Sequence, residues 1–374
     1  STPTVTINLG ESAMVVSCTN NNTVYGTTQT AWCNITAGDQ TATLTLYRNR
    51  SSVSSGSGNR SQSTVVGAGL WNYTCVYTTS QNWTSSTSLN NWLYVIKASN
   101  PVNLYLNGSL NQNVTYTYPQ AVNATGTSTV LTPSLYRDSV SKSNPEQILL
   151  GNGTYAYKVN ATGNENYSDN ATGVTWYALV NKGSTLATLY LNGTSTNQTS
   201  TYPNSTVNAT AVSNVSGLYV RIWRNNTLIA NSTSPTFNIT QLGAWNNNFT
   251  AQVLGNANYS SSSTTFLWWN VSKSNNSVSL FLNGTQNSNR TYTYPEAVNA
   301  TGTSTVLTPS LYRDGVSKSN PEQILLGNGT YAYKVNATGN ENYSDNATGV
   351  TWYALVNKGS TLATLYLNGT STNQ

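Results

Sequence analysis

Residues 121–198 and 297–374 are the same string of letters except at one position, where Ser139 is answered by Gly315. The offset, 297 less 121, is 176 residues. Self-similarity at a fixed period marks a repeat array, and missing it mis-assigns a whole fold. A weaker half-repeat lies inside the period: "LYLNG" stands at 104–108 and 189–193, and "LFLNG" at 280–284. The chain therefore divides into units at about 1–99, 100–184, 185–276 and 277–360, followed by a tail, 361–374, that repeats 185–198. Units of this length fall in the size range of small independent domains. Near-identical copies suit an elongated stalk better than a single active site.

Within a unit the periodicity is that of strands. In the second, "VNLYL" (102–106), "VTYTY" (114–118), "AVNAT" (121–125), "SLYRD" (134–138), "QILL" (147–150), "TYAYKVNA" (154–161) and "VTWYALVNK" (174–182) are short runs rich in Tyr, Val, Leu and Thr. Turn formers separate them, among them Asn107-Gly108, Pro119, Asn144-Pro145 and Gly151-Asn152-Gly153. No run has helical periodicity. Seven short strands in a unit of this size predict an all-β chain: tandem immunoglobulin-like β-sandwich domains in an elongated array.

Three motifs recur across the units. An aromatic, Arg and Asn or Asp stand together at Tyr47-Arg48-Asn49, Tyr136-Arg137-Asp138, Trp223-Arg224-Asn225 and Tyr312-Arg313-Asp314, where a third strand should place a core aromatic. Tyr73, Tyr155, Phe249 and Tyr331 fall on the sixth strand at the tyrosine-corner position. An Asn-aromatic-Ser/Thr triplet follows at Asn82, Asn166, Asn258 and Asn342. Strings such as "LTLYRN" (44–49) and "GNENYS" (163–168) make the chain resemble the Ig-like repeats of bacterial and archaeal cell-surface adhesins, stalks and filament proteins. That resemblance implies an extracellular, often polymeric protein without a catalytic site.

Only 7% of the residues are charged and there is no His. Against this stand 54 Asn, 58 Thr and 46 Ser, and 33 of the Asn head an N-x-S/T sequon, where chance placement would give about 15. The excess predicts a surface coated in N-linked glycan, which supplies the hydration that charge does not. The acceptors expected are Asn21, Asn34, Asn72, Asn82, Asn107, Asn123, Asn152, Asn160, Asn166, Asn170, Asn192, Asn208, Asn238, Asn258, Asn283, Asn299, Asn328, Asn336, Asn342 and Asn346. The first residue is Ser, as in a secreted product trimmed of its leader. No apolar run is long enough to span a membrane, and the +5 net charge forms no basic cluster for nucleic acid.

The three cysteines, Cys18, Cys33 and Cys75, all lie in the first unit. A Cys33–Cys75 bridge between the second and sixth strands suits the sandwich. Cys18 is then odd: a free thiol, an alternative partner of Cys75, or an intermolecular link. In the later units Asn123 and Tyr157 are expected at the bridge positions.

The search for chemistry is short. Eight of the eleven acids are four duplicated pairs, and the unit at 185–276 has none. Glu165 and Asp169 are too few to cage a hard cation, and Lys158 and Lys334 lack a neighbouring acid for an isopeptide cross-link. No enzyme, metal or cofactor other than covalent glycan is expected. The last strands "WLYVI" (92–96), "WYALV" (176–180, 352–356) and "FLWW" (266–269) are apolar on both faces, as for contact between units or subunits. In the tail, Ala363, Leu365 and Leu367 share one face, and the segment reads either as the start of a further repeat or as a strand donated to another domain. "VTINLG" (5–10) reads as the opening strand of the first unit. The function expected is an extracellular filament or stalk of copies packed head to tail. The alternative is an adhesin that holds carbohydrate or a partner cell.

Overall fold

The computed structural model describes residues 2–364 and the backbone of 366–367 and 370–371. Among them every regular element is a strand. Two compact units divide the chain, Ser1–Gly183 and Ser184–Gln374. Each holds two β-sandwiches with separate apolar cores.

In the first unit, the sandwich over 100–184 packs a four-stranded sheet on a five-stranded one. The first runs Ser109–Leu110, Val102–Leu106, Val122–Ser128, Glu146–Ile148; the second runs Val114–Thr117, Asn170–Asn181, Gly153–Ala161, Ser134–Arg137, Val140–Lys142. Alternation produces the core. Val102, Leu104 and Leu106 face Tyr157, Val159 and Ala161 across it, while intervening residues point out. Pairing is antiparallel except where Val114–Thr117 lies parallel to Asn170–Asn181. The two-residue loop Asn107-Gly108 closes the first hairpin with both residues left-handed, φ 48° and 81°, which Asn-Gly tolerates. The preceding sandwich has the same plan, with Ala13–Cys18, Gln29–Ala37 and Arg60–Thr64 opposite a sheet led by Asn22–Val24 and Asn91–Ile96. In the second unit the plan recurs twice.

The aromatic-Arg-Asn/Asp motif turns out to mark a hairpin. Its aromatic is half-buried, and the core is filled instead by the residue before it: Leu46, Leu135, Ile222 and Leu311 are at most 1% exposed. The Asn or Asp that follows is left-handed, with φ of 47°, 49°, 46° and 50° at Asn49, Asp138, Asn225 and Asp314. Its side-chain oxygen accepts the N–H of Asn72, Ala156, Asn248 or Ala332 on the next strand, at 2.8–2.9 Å. A short polar side chain that tolerates this backbone and bonds across it explains the motif.

Cys33 and Cys75 are joined, with Cα atoms 5.7 Å apart. In the other sandwiches the bridge position is not Asn123 and Tyr157, as the sequence suggested. Val16 pairs with Cys33 as Leu104 pairs with Gly126 and Leu280 with Gly302. A Cβ on Gly126 would stand 2.9 Å from Val159 Cγ2, and one on Gly302 2.8 Å from Val335 Cγ2. The valine methyls fill the room that sulfur takes in the first sandwich. The strand register likewise aligns Tyr73 with Tyr157, Phe249 and Tyr333 rather than with Tyr155 and Tyr331, since each lies opposite the motif's Arg.

That alignment accounts for a buried acid. Glu146 accepts from Arg137 Nη1 and from the Tyr157 hydroxyl, both at 2.8 Å, and Glu322 repeats the arrangement with Arg313 and Tyr333. Burial and the neighbouring carboxylate push both phenols well above their usual range. In the third sandwich Phe249 stands in the tyrosine's place, and the acid is gone with the hydroxyl.

Two expected strands differ. Val5 and Ile7 are 79% and 87% exposed, and the first strand begins at Ala13, so "VTINLG" opens no sheet of its own domain. In the tail, Ala363 is exposed, whereas Leu365 and the side chain of Leu367 lie outside the described residues.

The single difference between the duplicated stretches falls at the second residue of the motif turn. Ser139 is held at φ 67°, where Gly315 sits at 79° without a Cβ to crowd. Ser139→Gly should raise the stability of its sandwich by about 0.5–1 kcal/mol, and Gly315→Ser should lower that of the fourth by a similar amount. Chemical denaturation of the two variants checks both signs; shifts of the opposite sign refute the account.

Candidate functional site

The recurring Asn-aromatic-Ser/Thr triplet builds the contact between sandwiches within each unit. In the first, the loop after Gly153–Ala161 turns on Asn164, whose Oδ1 accepts from the N–H groups of Asn166 and Tyr167, both at 2.9 Å. The loop so fixed straps the chain as it leaves the preceding sandwich. Ala98 N–H donates to Asn166 O at 3.0 Å and Ser168 N–H donates to Ala98 O at 2.8 Å, a one-residue parallel bridge. Side chains complete the clasp. Ala68 N–H donates to Asn166 Oδ1 at 2.9 Å, Lys97 Nζ donates to Asn164 O at 2.6 Å, and the Tyr25 and Tyr167 rings meet edge to face at 5.4 Å. A Cβ on Gly67 would lie 3.1 Å from Asn166 Oδ1, so glycine there admits the asparagine.

The second unit repeats the clasp. Ser274 N–H donates to Asn342 O at 3.0 Å and Ser344 N–H to Ser274 O at 2.9 Å. Ala244 N–H donates to Asn342 Oδ1 at 2.9 Å and Lys273 Nζ to Asn340 O at 2.6 Å, while Tyr202 and Tyr343 meet at 5.4 Å. The sequence carries a signal for this in the recurring triplet, which also satisfies the rule for a glycan acceptor. It also repeats a Tyr early in each unit, at 25, 118, 202 and 294, and a Lys at each exit, at 97, 182, 273 and 358.

The first sandwich has the same loop, Asn82-Trp83-Thr84, and its partner is Gly10. Gly10 N–H donates to Asn82 O and Thr84 N–H to Gly10 O, both at 2.9 Å. Gly10 thus occupies the position of Ala98 and Ser274. Three and five residues before those anchors stand Val95 and Leu93, or Val271 and Trp269, all at most 5% exposed in the cores. Three and five before Gly10 stand Ile7 and Val5. The segment therefore has the register and the apolar pattern of a last strand, with both core residues exposed.

The outward residues of the last strands do not make these junctions. Trp92, Tyr94, Tyr177 and Leu179 alternate with buried neighbours and are 41–50% exposed. None of the twenty asparagines named as glycan acceptors is buried. Several of their Nδ2 atoms bond main-chain carbonyls, as Asn170 does to Asn100 O and Asn346 to Asn276 O, both at 2.8 Å. Cys18 is half-buried, and burial pushes its thiol up to about 11, which leaves it protonated near neutral pH. Lys158 lies on the face opposite Tyr157 and Val159. Among the described residues no group of three or more His, Cys, Asp or Glu could hold a metal ion, and no helix is long and apolar enough to cross a membrane.

No protein-family model and no curated protein matches the chain. Among solved structures, Sidekick-1 immunoglobulin domains 1–4 are 12% identical over 93% of this chain and 99% of that one, with a TM-score of 0.19. The N-terminal four Ig domains of Dscam1 isoform 6.9 are 11% identical over 92% and 99%, with a TM-score of 0.20. Fibronectin(III)-like modules of Clostridium thermocellum CbhA are 10% identical over 69% and 94%, also at 0.20. At such values the likeness says nothing of function; the sandwich topology itself makes this chain a tandem array of Ig-like domains.

The tyrosine pair should hold the clasp closed. An edge-to-face ring contact is worth about 0.5–1.5 kcal/mol, so Tyr167→Ala should speed exchange of the Ala68 and Ala98 amides about two- to tenfold. The sequon, then Asn-Ala-Ser, stays intact. Hydrogen exchange read by mass spectrometry checks this, and unchanged rates would show that the rings contribute nothing.

Proposed function

We propose that the chain is a non-catalytic, N-glycosylated extracellular protein whose sandwiches assemble end to end into a surface filament or stalk. The observation that carries this is the register of residues 2–10. Anchored at Gly10 as other last strands are anchored at Ala98 and Ser274, the segment presents Val5 and Ile7 where a sandwich needs two core residues. Each described sandwich already holds its own last strand, so the segment would add to an open sheet edge of a neighbouring subunit. Donation there buries two β-branched side chains, each worth about 1.5–3 kcal/mol, and satisfies a strand edge with main-chain bonds. A contact of this kind is heterologous and does not close on itself, so it propagates as a fibre. The tail at Ala363, Leu365 and Leu367, which the sequence suggests for donation, is a separate candidate on which this reading does not depend.

Glycan belongs to the same reading. The chain carries 33 sequons against 16 Lys and Arg and 11 Asp and Glu, and with 7% charged residues it needs another source of hydration. When an activated sugar donor glycosylates Nδ2, the anomeric carbon's bond to the donor's phosphate oxygen breaks, the phosphate leaves with the electron pair, and the nitrogen gives up one proton and keeps the other. A bond such as Asn170 to Asn100 O can therefore survive glycosylation. The second reading, an adhesin, is favoured by the outward aromatic face of the last strands, where Trp92 and Tyr94 are half exposed. Binding of carbohydrate by dispersed subunits on a glycan array would favour it over the filament.

Native protein should weigh well above the bare 40.2 kDa; an intact mass at that value would sink the glycan coat. Val5→Asp with Ile7→Asp should abolish or shorten fibres seen by electron microscopy of native material. The four sandwiches should still unfold as before, since neither residue enters their cores. Fibres of unchanged length in the double variant would overturn the donation.

A further inference from the structure

The junction of the second unit contains a cleft of about 440 Å³, lined by Gly243, Ala244, Trp245, Lys273, Glu341 and Asn342. Two of these residues have no evident reason to share it. Trp245 is 72% exposed, although its carbonyl is fixed by the N–H of Val271 at 2.9 Å. Asn342 heads a sequon, and its amide is oriented: Oδ1 is held by Ala244 N–H while the main-chain N–H is held by Asn340 Oδ1. A cleft with a large, solvent-facing ring on an anchored main chain beside an acceptor asparagine has the chemistry of a pyranose site, because an indole face receives the C–H face of a sugar while polar groups meet its hydroxyls.

The geometry points to one occupant, the glycan carried by Asn342 itself. Resting on the glycosylation proposed above, the inference is that its first sugars fold back into this cleft against the Trp245 indole and wedge the third and fourth sandwiches together. The sugar is tethered by its own bond to Nδ2, so it enters at high effective concentration and needs little intrinsic affinity. Glu341 and Lys273 at the rim offer an acceptor and a donor to its hydroxyls; Lys273 already gives one hydrogen bond to Asn340 O. The junction of the first unit supplies an internal contrast. There the residues aligned with Gly243-Ala244-Trp245 are Gly67-Ala68-Gly69, and the indole near Asn166, that of Trp71, is already engaged, donating Nε1–H to Gly67 O at 2.8 Å and lying under the Arg48 guanidinium.

Hydroxyl-radical footprinting of the native glycoprotein, read by peptide mass, tests this at Trp245 directly. The comparison is with Ser344→Ala made in the source cells, which destroys the sequon but leaves Asn342 and the main-chain bonds of the loop. Trp245 should oxidise about two- to tenfold more slowly in the native protein than in the variant, the range a ring contact of this strength supports. Trp92, exposed in the other unit, should react equally in both. Glycan present on Asn342 with equal Trp245 oxidation in the two proteins would overturn the inference and leave the glycosylation reading intact. A bare Asn342 in the same digest would overturn both at this site.

Discussion

Two main-chain hydrogen bonds on one residue organise this molecule. Ala98, in the short segment before the second sandwich, both donates to and accepts from the loop at Asn166 and Ser168, and Ser274 does the same at Asn342 and Ser344. The residue that ends one domain is thereby a rung in the next. The chain between the strands ending at Ile96 and starting at Val102 has little freedom left, unlike the polar linkers that normally separate domains. Tyr25 on Tyr167 and Lys97 on Asn164 O then act on a geometry already set.

Much of the fold could be read from periodicity, because inward residues at every second position are what a half-buried strand requires. The seven strands expected over 100–184 all occur, with ends shifted by a few residues. What alternation cannot resolve is a shift by two. Tyr155 and Tyr157 share a face, so nothing in the letters says which of them answers Tyr73; only the pairing of Arg137 with Tyr157 does. Gly126 escaped for a related reason. A residue without a side chain carries no apolar signal, yet its emptiness is what Val159 fills.

The junction site was visible in sequence as a recurrence without a meaning. Asn-aromatic-Ser/Thr satisfies the rule for a glycan acceptor, and that sufficient explanation hid a second one, that Asn166 Oδ1 and its main chain both bond the preceding domain. The misplaced aromatic of the Tyr-Arg-Asp motif has the same origin. A large ring suggests a core, whereas the information lay in the small Asp138, held left-handed and bonded to Ala156. Glu146 shows the converse: few acids are present, and the ones that are buried neutralise an arginine instead of performing chemistry.

Because each clasp consists of main-chain bonds and of residues found in both units, one sandwich does not need a bespoke neighbour. Recombination between misaligned gene copies can then insert or delete modules without inventing an interface, and selection sees only a change in reach. A 78-residue stretch copied with one substitution, itself at a turn where glycine relieves the backbone, is the trace such an event leaves. Length in a lineage built this way is a quantity that evolution can adjust in discrete steps, as a builder adds identical courses to a wall.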